Sequence, residues 1–207
     1  MTVQDYMKIL AEDLHSAVVS TIGEDGHPET RAIDMMLWDE SGIYFLTAKG
    51  KNFYKQLMEQ KYLALTAVKD KKSISLRGWI RNIGTEKLDE IFEKNSYMKD
   101  IYPEGTRSPL EVFLLYEGCG EYFDISSPSH IVRDAFSIGK KTAKHSGYYV
   151  GDACIGCKLC YSVCPQKCID ISKKPVEIDQ ARCLRCGQCA KICPKQTIER
   201  NIISFIH

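Results

Sequence analysis

The 207-residue sequence has no run of about eighteen apolar residues, so it offers no helix long enough to span a bilayer. Its first ten residues, MTVQDYMKIL, are charged and lack the apolar core of a signal peptide. Five histidines are scattered along the chain and indicate no acid–base residue. The net charge of +1 argues against a nucleic-acid partner. We therefore expect a cytoplasmic protein that binds neither membrane nor nucleic acid and whose thiols stay reduced.

Cysteine, by contrast, is abundant and unevenly placed. Nine of the ten cysteines lie between Cys154 and Cys193, and Cys119 is the exception. The charge changes at the same place, since residues 1–150 hold 19 Lys and Arg against 22 Asp and Glu, whereas residues 151–207 hold 9 against 5. This change in composition predicts two domains, and a bound anionic cofactor would offset the basic surplus of the second.

The cysteines form an internal duplication. The segment CIGCKLCYSVCP, which begins at Cys154, returns 29 residues later as CLRCGQCAKICP, which begins at Cys183. Each copy reads CxxCxxCxxxCP, and such closely spaced thiolates can surround one iron–sulfur cluster while the chain carries the fourth cysteine away. Zinc knuckles use pairs of CxxC motifs and have no use for the third cysteine. Disulfides between such close cysteines are unfavourable in a reducing compartment.

The duplicated run resembles that of the bacterial ferredoxins with two [4Fe–4S] clusters, over roughly residues 150–200. The resemblance implies crossed ligation, in which the fourth cysteine of each run binds the other cluster. The first cluster would then be held by Cys154, Cys157, Cys160 and Cys193, and the second by Cys183, Cys186, Cys189 and Cys164. Cys168 has Thr197 as its counterpart, and we interpret it as a small buried side chain beside a cluster.

Before this block, short strands alternate with a few helices. Residues 1–14 have apolar residues at helical intervals, with Thr2 and Asp5 as a capping pair. Strands are expected at SAVVSTI, ETRAIDMML, IYFLTA, KYLALTAV, KSISLRGWIRNIG, EVFLLYEG and CGEYFDIS, and helices at KNFYKQLMEQ and, with a cap, at TEKLDEIFEKN. Many short antiparallel strands with helices across their ends predict a closed barrel.

The segments PETRAIDMML and IYFLTAKGKNFYKQL resemble the pyridoxamine 5′-phosphate oxidase-like family of split barrels, over roughly residues 1–125. The resemblance implies FMN bound at a homodimer interface. In the family an arginine on the second strand and the turn after a strand ending in threonine hold the flavin phosphate. Here these positions are Arg31, Thr47, Lys49, Lys51 and Asn52. A phosphate favours guanidinium and ammonium groups beside a helix N-terminus.

The chain departs from the family in this turn. Members commonly have a serine and a lysine where this sequence has Lys51 and Phe53, so Lys49 and Lys51 would have to bind the phosphate instead. In the alternative interpretation, TAKGK is a solvated turn and Arg31 is a surface ion-pair partner.

The expected fold class is mainly β: an FMN-binding split β-barrel with flanking helices over residues 1–125, and a small α+β ferredoxin domain over residues 151–207. Residues 126–150 are expected to be a linker with a helix near His130 to Ile138.

This combination predicts an oxidoreductase of an anaerobic setting. Two [4Fe–4S] clusters, reduced by a low-potential donor such as a ferredoxin or a reductase, would pass single electrons to FMN. FMN would then reduce a small organic substrate, another flavin or oxygen. Two alternatives stay open: an electron carrier or redox sensor that turns over no substrate, and a barrel that holds haem or a deazaflavin. The sequence names neither the substrate nor a catalytic residue.

Overall fold

The computed structural model describes residues 1–127, 131–142 and 144–204. The chain divides into two units, one made of Met1–Tyr122 with Phe136–Lys141 and one made of Phe123–Ala135 with the described residues from Thr142 onward. Every helix of the described ranges is too short or too polar to cross a membrane.

An antiparallel sheet of eight strands dominates the chain and confirms the mainly β class. Its strands are β1 Ser16–Ile22, β2 Pro28–Asp34, β3 Leu37–Asp39, β4 Gly42–Ala48, β5 Tyr62–Lys69, β6 Lys72–Gly84, β7 Leu110–Asp124 and β8 Val132–Ile138. They are ordered β2-β1-β5-β6-β7-β4-β3, and β8 pairs with β7. The strand β2, which contains the predicted phosphate-binding arginine, therefore lies at one edge of this order.

Four helices accompany the sheet: α1 Val3–Lys8, α2 Asn52–Gln60, α3 Leu88–Lys94 and α4 Met98–Ile101. The predicted capping pair is present, because Thr2 Oγ1 accepts the Asp5 N–H at 3.2 Å while the Asp5 carboxylate accepts the Thr2 N–H at 2.7 Å. The chain continues from α1 as a π-helical segment, Ile9–Leu14. Met7, Leu10 and Leu14, which lie at helical intervals in this region, are buried, as their spacing indicated.

Two expectations about helices are wrong. The helix α3 has no side-chain cap, and Lys87 precedes it in a left-handed conformation with φ 66°. Val132–Ile138, expected to be helical, is the strand β8, while His130 lies outside the described residues. A period of two explains the strand, because Phe136 and Ile138 are both buried and the side chain between them is not.

The last predicted strand pair is also wrong, because EVFLLYEG and CGEYFDIS form the single strand β7. The glycine at the junction of the two segments lies within the strand, where it allows close packing. A Cβ on Gly118 would stand 2.6 Å from the carbonyl oxygen of Arg77, and one on Gly78 would stand 2.2 Å from that of Glu117. The two glycines let the backbones of β6 and β7 approach each other closely.

The second unit repeats its backbone as it repeats its sequence. It contains β9 Lys144–Val150, α5 Leu159–Val163, β10 Ile169–Asp170, β11 Glu177–Ile178, α6 Gln188–Ile192 and β12 Ile198–Ser204. The strands pair as β9 with β12 and β10 with β11. Lys158 and Gly187, 29 residues apart, start the two helices in the same left-handed conformation, with φ 63° and 77°. The α+β expectation for this region is thereby confirmed.

Substituting Gly78 with Ala tests the close approach of β6 and β7. The new methyl group would collide with a backbone carbonyl, so we expect the free energy of unfolding to fall by about 1–3 kcal/mol. The control is Gly50→Ala, since a Cβ there meets nothing within 4 Å. Urea unfolding followed by circular dichroism measures both variants, and equal midpoints would contradict the packing argument.

Candidate functional site

The duplicated cysteines line two separate cavities in the second unit. Cys154, Cys157, Cys160 and Cys193 line the first together with apolar side chains that include Val150 and Ile198. Cys164, Cys183, Cys186 and Cys189 line the second, with Cys168 beside them. Each cavity thus brings together three cysteines of one run and the fourth of the other, which is the grouping that crossed ligation requires.

Two short helices produce this exchange. The helix α5 ends at Val163 and α6 ends at Ile192, and the next residues, Cys164 and Cys193, have extended backbone, with ψ 116° and 114°. The proline that follows each cysteine prevents the helix from continuing. The fourth thiol of each run is therefore directed away from the three that precede it.

The spacing of the thiols fits a cluster better than a single ion. Within the described ranges, no three Cys, His, Asp or Glu side chains converge closely enough to hold one metal ion. Four thiolates on zinc would converge, because each Zn–S bond is about 2.3 Å long. A [4Fe–4S] cube takes one thiolate at each of its four irons and holds the sulfurs further apart. The donor set and the cavity linings therefore fit two such cubes.

The thiols differ in their acidity. Burial raises the pKa of Cys160, and it raises that of Cys189 to about 11. The pKa of Cys183 is instead lowered to about 6, first by a hydrogen bond from Cys168, then by the Arg185 N–H at 3.3 Å and the guanidinium charges of Arg185 and Arg133. A thiol that ionises readily binds iron at neutral pH without the cost of losing a proton.

Cys168 is a buried side chain, as expected, with 4% of its surface exposed. Its Sγ lies 3.6 Å from Cys164 Sγ, and it also hydrogen-bonds Cys183. These contacts, followed by burial, raise its pKa, so it stays a thiol beside the second cavity. Cys119 lies on β7 and lines neither cavity.

In the first unit, Arg31 is held in a network rather than on the open surface. Its side chain is only 20% exposed, and its guanidinium lies 4.6 Å from the centre of the Phe53 ring. It donates to Thr21 Oγ1, to Gln56 Oε1 at 3.1 Å and to the Glu29 carboxylate at 2.9 Å. The ion-pair interpretation of Arg31 thus describes part of its environment, but most of the side chain is buried.

Thr47 has a hydroxyl group without a partner. The residue is 2% exposed, and its Oγ1 makes no hydrogen bond within the described part of the chain. It follows Phe45 by two positions on β4, so both side chains point to the same face, where Phe45 stacks on Phe53 in the first turn of α2. A buried polar group of this kind calls for a ligand or water, and the N-terminus of α2 favours an anionic one.

The predicted lysines do not join this group. Lys49 pairs with Glu111 at 2.9 Å, and that carboxylate also accepts hydrogen bonds from Tyr54 and Asn82, each at 2.6 Å. The donors, led by Tyr54, lower the pKa of Glu111 to about 2, so it stays charged and keeps Lys49. Lys51 precedes α2 without a capping hydrogen bond, and Asn52 is the first residue of the helix. The structure thus places Arg31 against Phe53 at the start of α2, and it places Thr47 on the face of β4 where Phe45 also packs on Phe53.

Sequence reasoning missed the residues that surround Arg31. Glu29 could have been found, because it lies two residues before Arg31 on the same strand and therefore on the same face. Thr21 is also local, because the hairpin of β1 and β2 pairs it with Glu29. Gln56 carried no local signal, since α2 meets β2 only through the tertiary fold.

A second polar group surrounds His15, which the sequence left without a role. Its Nε2 lies 3.0 Å from the hydroxyl of Tyr97, which donates to Asp34 at 2.6 Å. Burial alone would raise the pKa of Asp34, but hydrogen bonds from Ser16 and Tyr97 outweigh it and lower the pKa. His15 has φ 59° at the end of the π-helical segment and lines a cavity with Trp38.

Two family models match the chain. The Pyridoxamine 5′-phosphate oxidase model matches residues 4–117, and the 4Fe-4S dicluster domain model matches residues 153–197. No curated protein matches.

Solved structures agree on the fold of the first region. A NimC/NimA family protein from Clostridium acetobutylicum is 17% identical, covers 65% of this chain and 92% of its own, and has a TM-score of 0.54. A protein from the same organism, related to general stress protein 26 of B. subtilis (pyridoxinephosphate oxidase family), is 21% identical, covers 65% and 93%, and has a TM-score of 0.50. Both likenesses show the split-barrel fold.

Replacing Cys164 with Ser tests the exchange of ligands. We expect the iron content after anaerobic reconstitution to fall from about eight to about four atoms per chain, since one cube loses a ligand. Adding Cys183→Ser should remove no further iron, because both residues line one cavity, whereas adding Cys154→Ser should remove the rest. Cys119→Ser is the control. The opposite result for the two double variants would refute crossed ligation.

Proposed function

Because the chain belongs to the pyridoxamine 5′-phosphate oxidase family and also contains a 4Fe-4S dicluster domain, we propose that it is an iron–sulfur flavoprotein oxidoreductase. In this proposal two [4Fe–4S] clusters pass single electrons to FMN, for the reduction of a small organic substrate, another flavin or oxygen. The observation that carries the proposal is the presence, in one chain of this family, of two cavities that each gather four cysteines.

In the second unit, eight cysteines would hold the clusters: Cys154, Cys157, Cys160 and Cys193 the first, and Cys183, Cys186, Cys189 and Cys164 the second. The buried side chains Ile169, Val176, Ile178 and Ile198 pack with them in one apolar cluster. This apolar surround shields the buried sulfurs and lowers the local dielectric, whereas Cys157 and Cys186 are exposed. Both burial and exposure affect the potential of a bound cluster. The unit is therefore suited to electron transfer, which needs no substrate access to the metal.

In the first unit, Arg31, Thr47 and the free N–H groups at the start of α2 would hold the flavin phosphate. A bound flavin accepts electrons singly or in pairs, and so it can couple one-electron donors to two-electron chemistry. The half-buried guanidinium would supply charge, and the Thr47 hydroxyl would supply a hydrogen bond that no protein group uses.

The outer face of the sheet supports the proposed homodimer. Val18, Val68 and Trp79 lie on β1, β5 and β6, and they are 52%, 68% and 40% exposed. The registers place all three side chains on one face, opposite the buried positions. Exposed apolar groups that share a face are typical of an interface.

A low-potential ferredoxin or reductase would be the electron donor.

Two measurements on anaerobically purified protein test this function. The visible spectrum should show flavin bands above the broad absorbance of about eight irons per chain, whereas haem would give a Soret band. The reduced protein should then be mixed with nitroaromatics, quinones and free flavins while flavin and cluster absorbance are followed. Reoxidation by one class with turnover supports an enzyme. No reoxidation by any of these compounds would leave an electron carrier.

Replacing Thr47 with Val tests the phosphate site. The substitution keeps the shape and removes an unsatisfied buried hydroxyl, so we expect the flavin-free protein to gain about 1 kcal/mol of stability. FMN affinity should fall about tenfold with loss of that hydrogen bond, while riboflavin affinity stays unchanged. Thr21→Val is the contrast, because the Thr21 hydroxyl donates to Gln56 and its loss should destabilise the protein. Equal losses for FMN and riboflavin would place the phosphate elsewhere.

A further inference from the structure

We propose that Glu29 is an internal anion that competes with the flavin phosphate for Arg31, so that this chain discriminates weakly between FMN and unphosphorylated riboflavin. The inference rests on the proposed function, since it concerns the site where that function places a flavin phosphate. It identifies a specificity-determining residue and the class of ligand, a flavin of either phosphorylation state.

The contacts of Glu29 are those a phosphate would make. One carboxylate oxygen accepts from Arg31 Nη2 at 2.9 Å and from Gln56 Nε2 at 2.9 Å. Gln56 is buried, and its carbonyl oxygen accepts from the buried Thr21 hydroxyl at 2.6 Å and from Arg31 at 3.1 Å. Glu29 therefore takes guanidinium and amide donors that an entering anion would otherwise use.

The charge around the guanidinium no longer favours a dianion. The family places a lysine where this chain has Phe53, and here the ring lies under Arg31 without adding charge. Lys49 pairs with Glu111 at 2.9 Å. Since Glu29 balances Arg31, the pair carries no net positive charge toward a phosphate. The cavity beside it is also lined by Asp25 and Glu59, and the lysine in its lining, Lys55, is paired with Glu24. A phosphate would meet nearby negative charge with little compensation.

Glu29 is nevertheless able to leave. Its side chain is 47% exposed, and it projects from the edge strand β2. An exposed carboxylate regains most of its hydration when it turns outward, so the ion pair opens at little cost. The contact therefore weakens phosphate binding without blocking it, and it leaves the ring site unaffected.

The experiment compares two ligands on one protein. The iron-loaded chain, freed of flavin, is titrated with FMN and with riboflavin by quenching of flavin fluorescence, in the wild type and in Glu29→Gln. The ratio of the two dissociation constants isolates the phosphate, because both ligands share the ring. We expect Glu29→Gln to shift the ratio about tenfold toward FMN, the effect of freeing one charge-assisted contact.

The control is Glu24→Gln, a carboxylate of the same cavity that pairs with Lys55 at 2.8 Å and does not contact Arg31. It should leave the ratio at the wild-type value. Glu29→Ala provides a second removal of the charge, and it should shift the ratio in the same direction with riboflavin affinity unchanged.

The outcomes distinguish a failure of the proposed competition from a failure of the proposed flavin function. If both flavins bind and neither Glu29 variant changes the ratio, the competition is refuted while the flavin function stands. An equal shift in Glu24→Gln would also refute it, since general electrostatics would then explain the change. If no variant binds either flavin, the proposed function fails, and this inference fails with it.

Discussion

The second unit depends on one constraint, the exchange of the fourth cysteine between two copies of the same motif. In each copy, a residue in the left-handed conformation starts one short helix. The copy then ends at a cysteine followed by proline. Because the helix ends there, each fourth thiol lines the cavity of the other copy. Metal at either cavity would tie both copies together, so binding and folding of this unit are coupled. The apolar cluster of the unit is small, so we expect the unit to need bound metal in order to fold.

The first unit depends instead on contacts between distant parts of the chain. The predicted cofactor residues come from β2, β4 and α2, and only the sheet and the packing of Phe45 on Phe53 bring them together. In such a site each side chain has several potential partners. Arg31 pairs with Glu29, and Lys49 pairs with Glu111. The Thr47 hydroxyl has no hydrogen-bond partner within the described part of the chain. The character of the site is thus set by which protein groups bind one another before any ligand enters.

This difference explains how much the sequence could predict. The repeated cysteine motif is local, and its resemblance to the ferredoxins implied the grouping that lines the two cavities. The capping pair of Thr2 and Asp5 is equally local. Most of the errors involve long-range packing, and the missing cap of α3 is local. The predicted strand pair is one strand, β7, in which Gly118 makes a close contact with β6, and Val132–Ile138 forms a strand that pairs with β7. The family resemblance placed Lys49 at a phosphate, whereas its partner Glu111 is distant in sequence.

Duplication of a motif also does not make two equal sites. The backbones of the two copies agree at both ends of their helices, yet their surroundings differ. The second cavity has the thiol of Cys168 at a position where the first has Thr197, and the charges of Arg133 and Arg185 act on Cys183. Hydrogen bonds and charge near the sulfurs set the potential of a cluster. Two identical ligand sets therefore do not give two identical carriers, because side chains outside the motif differentiate them.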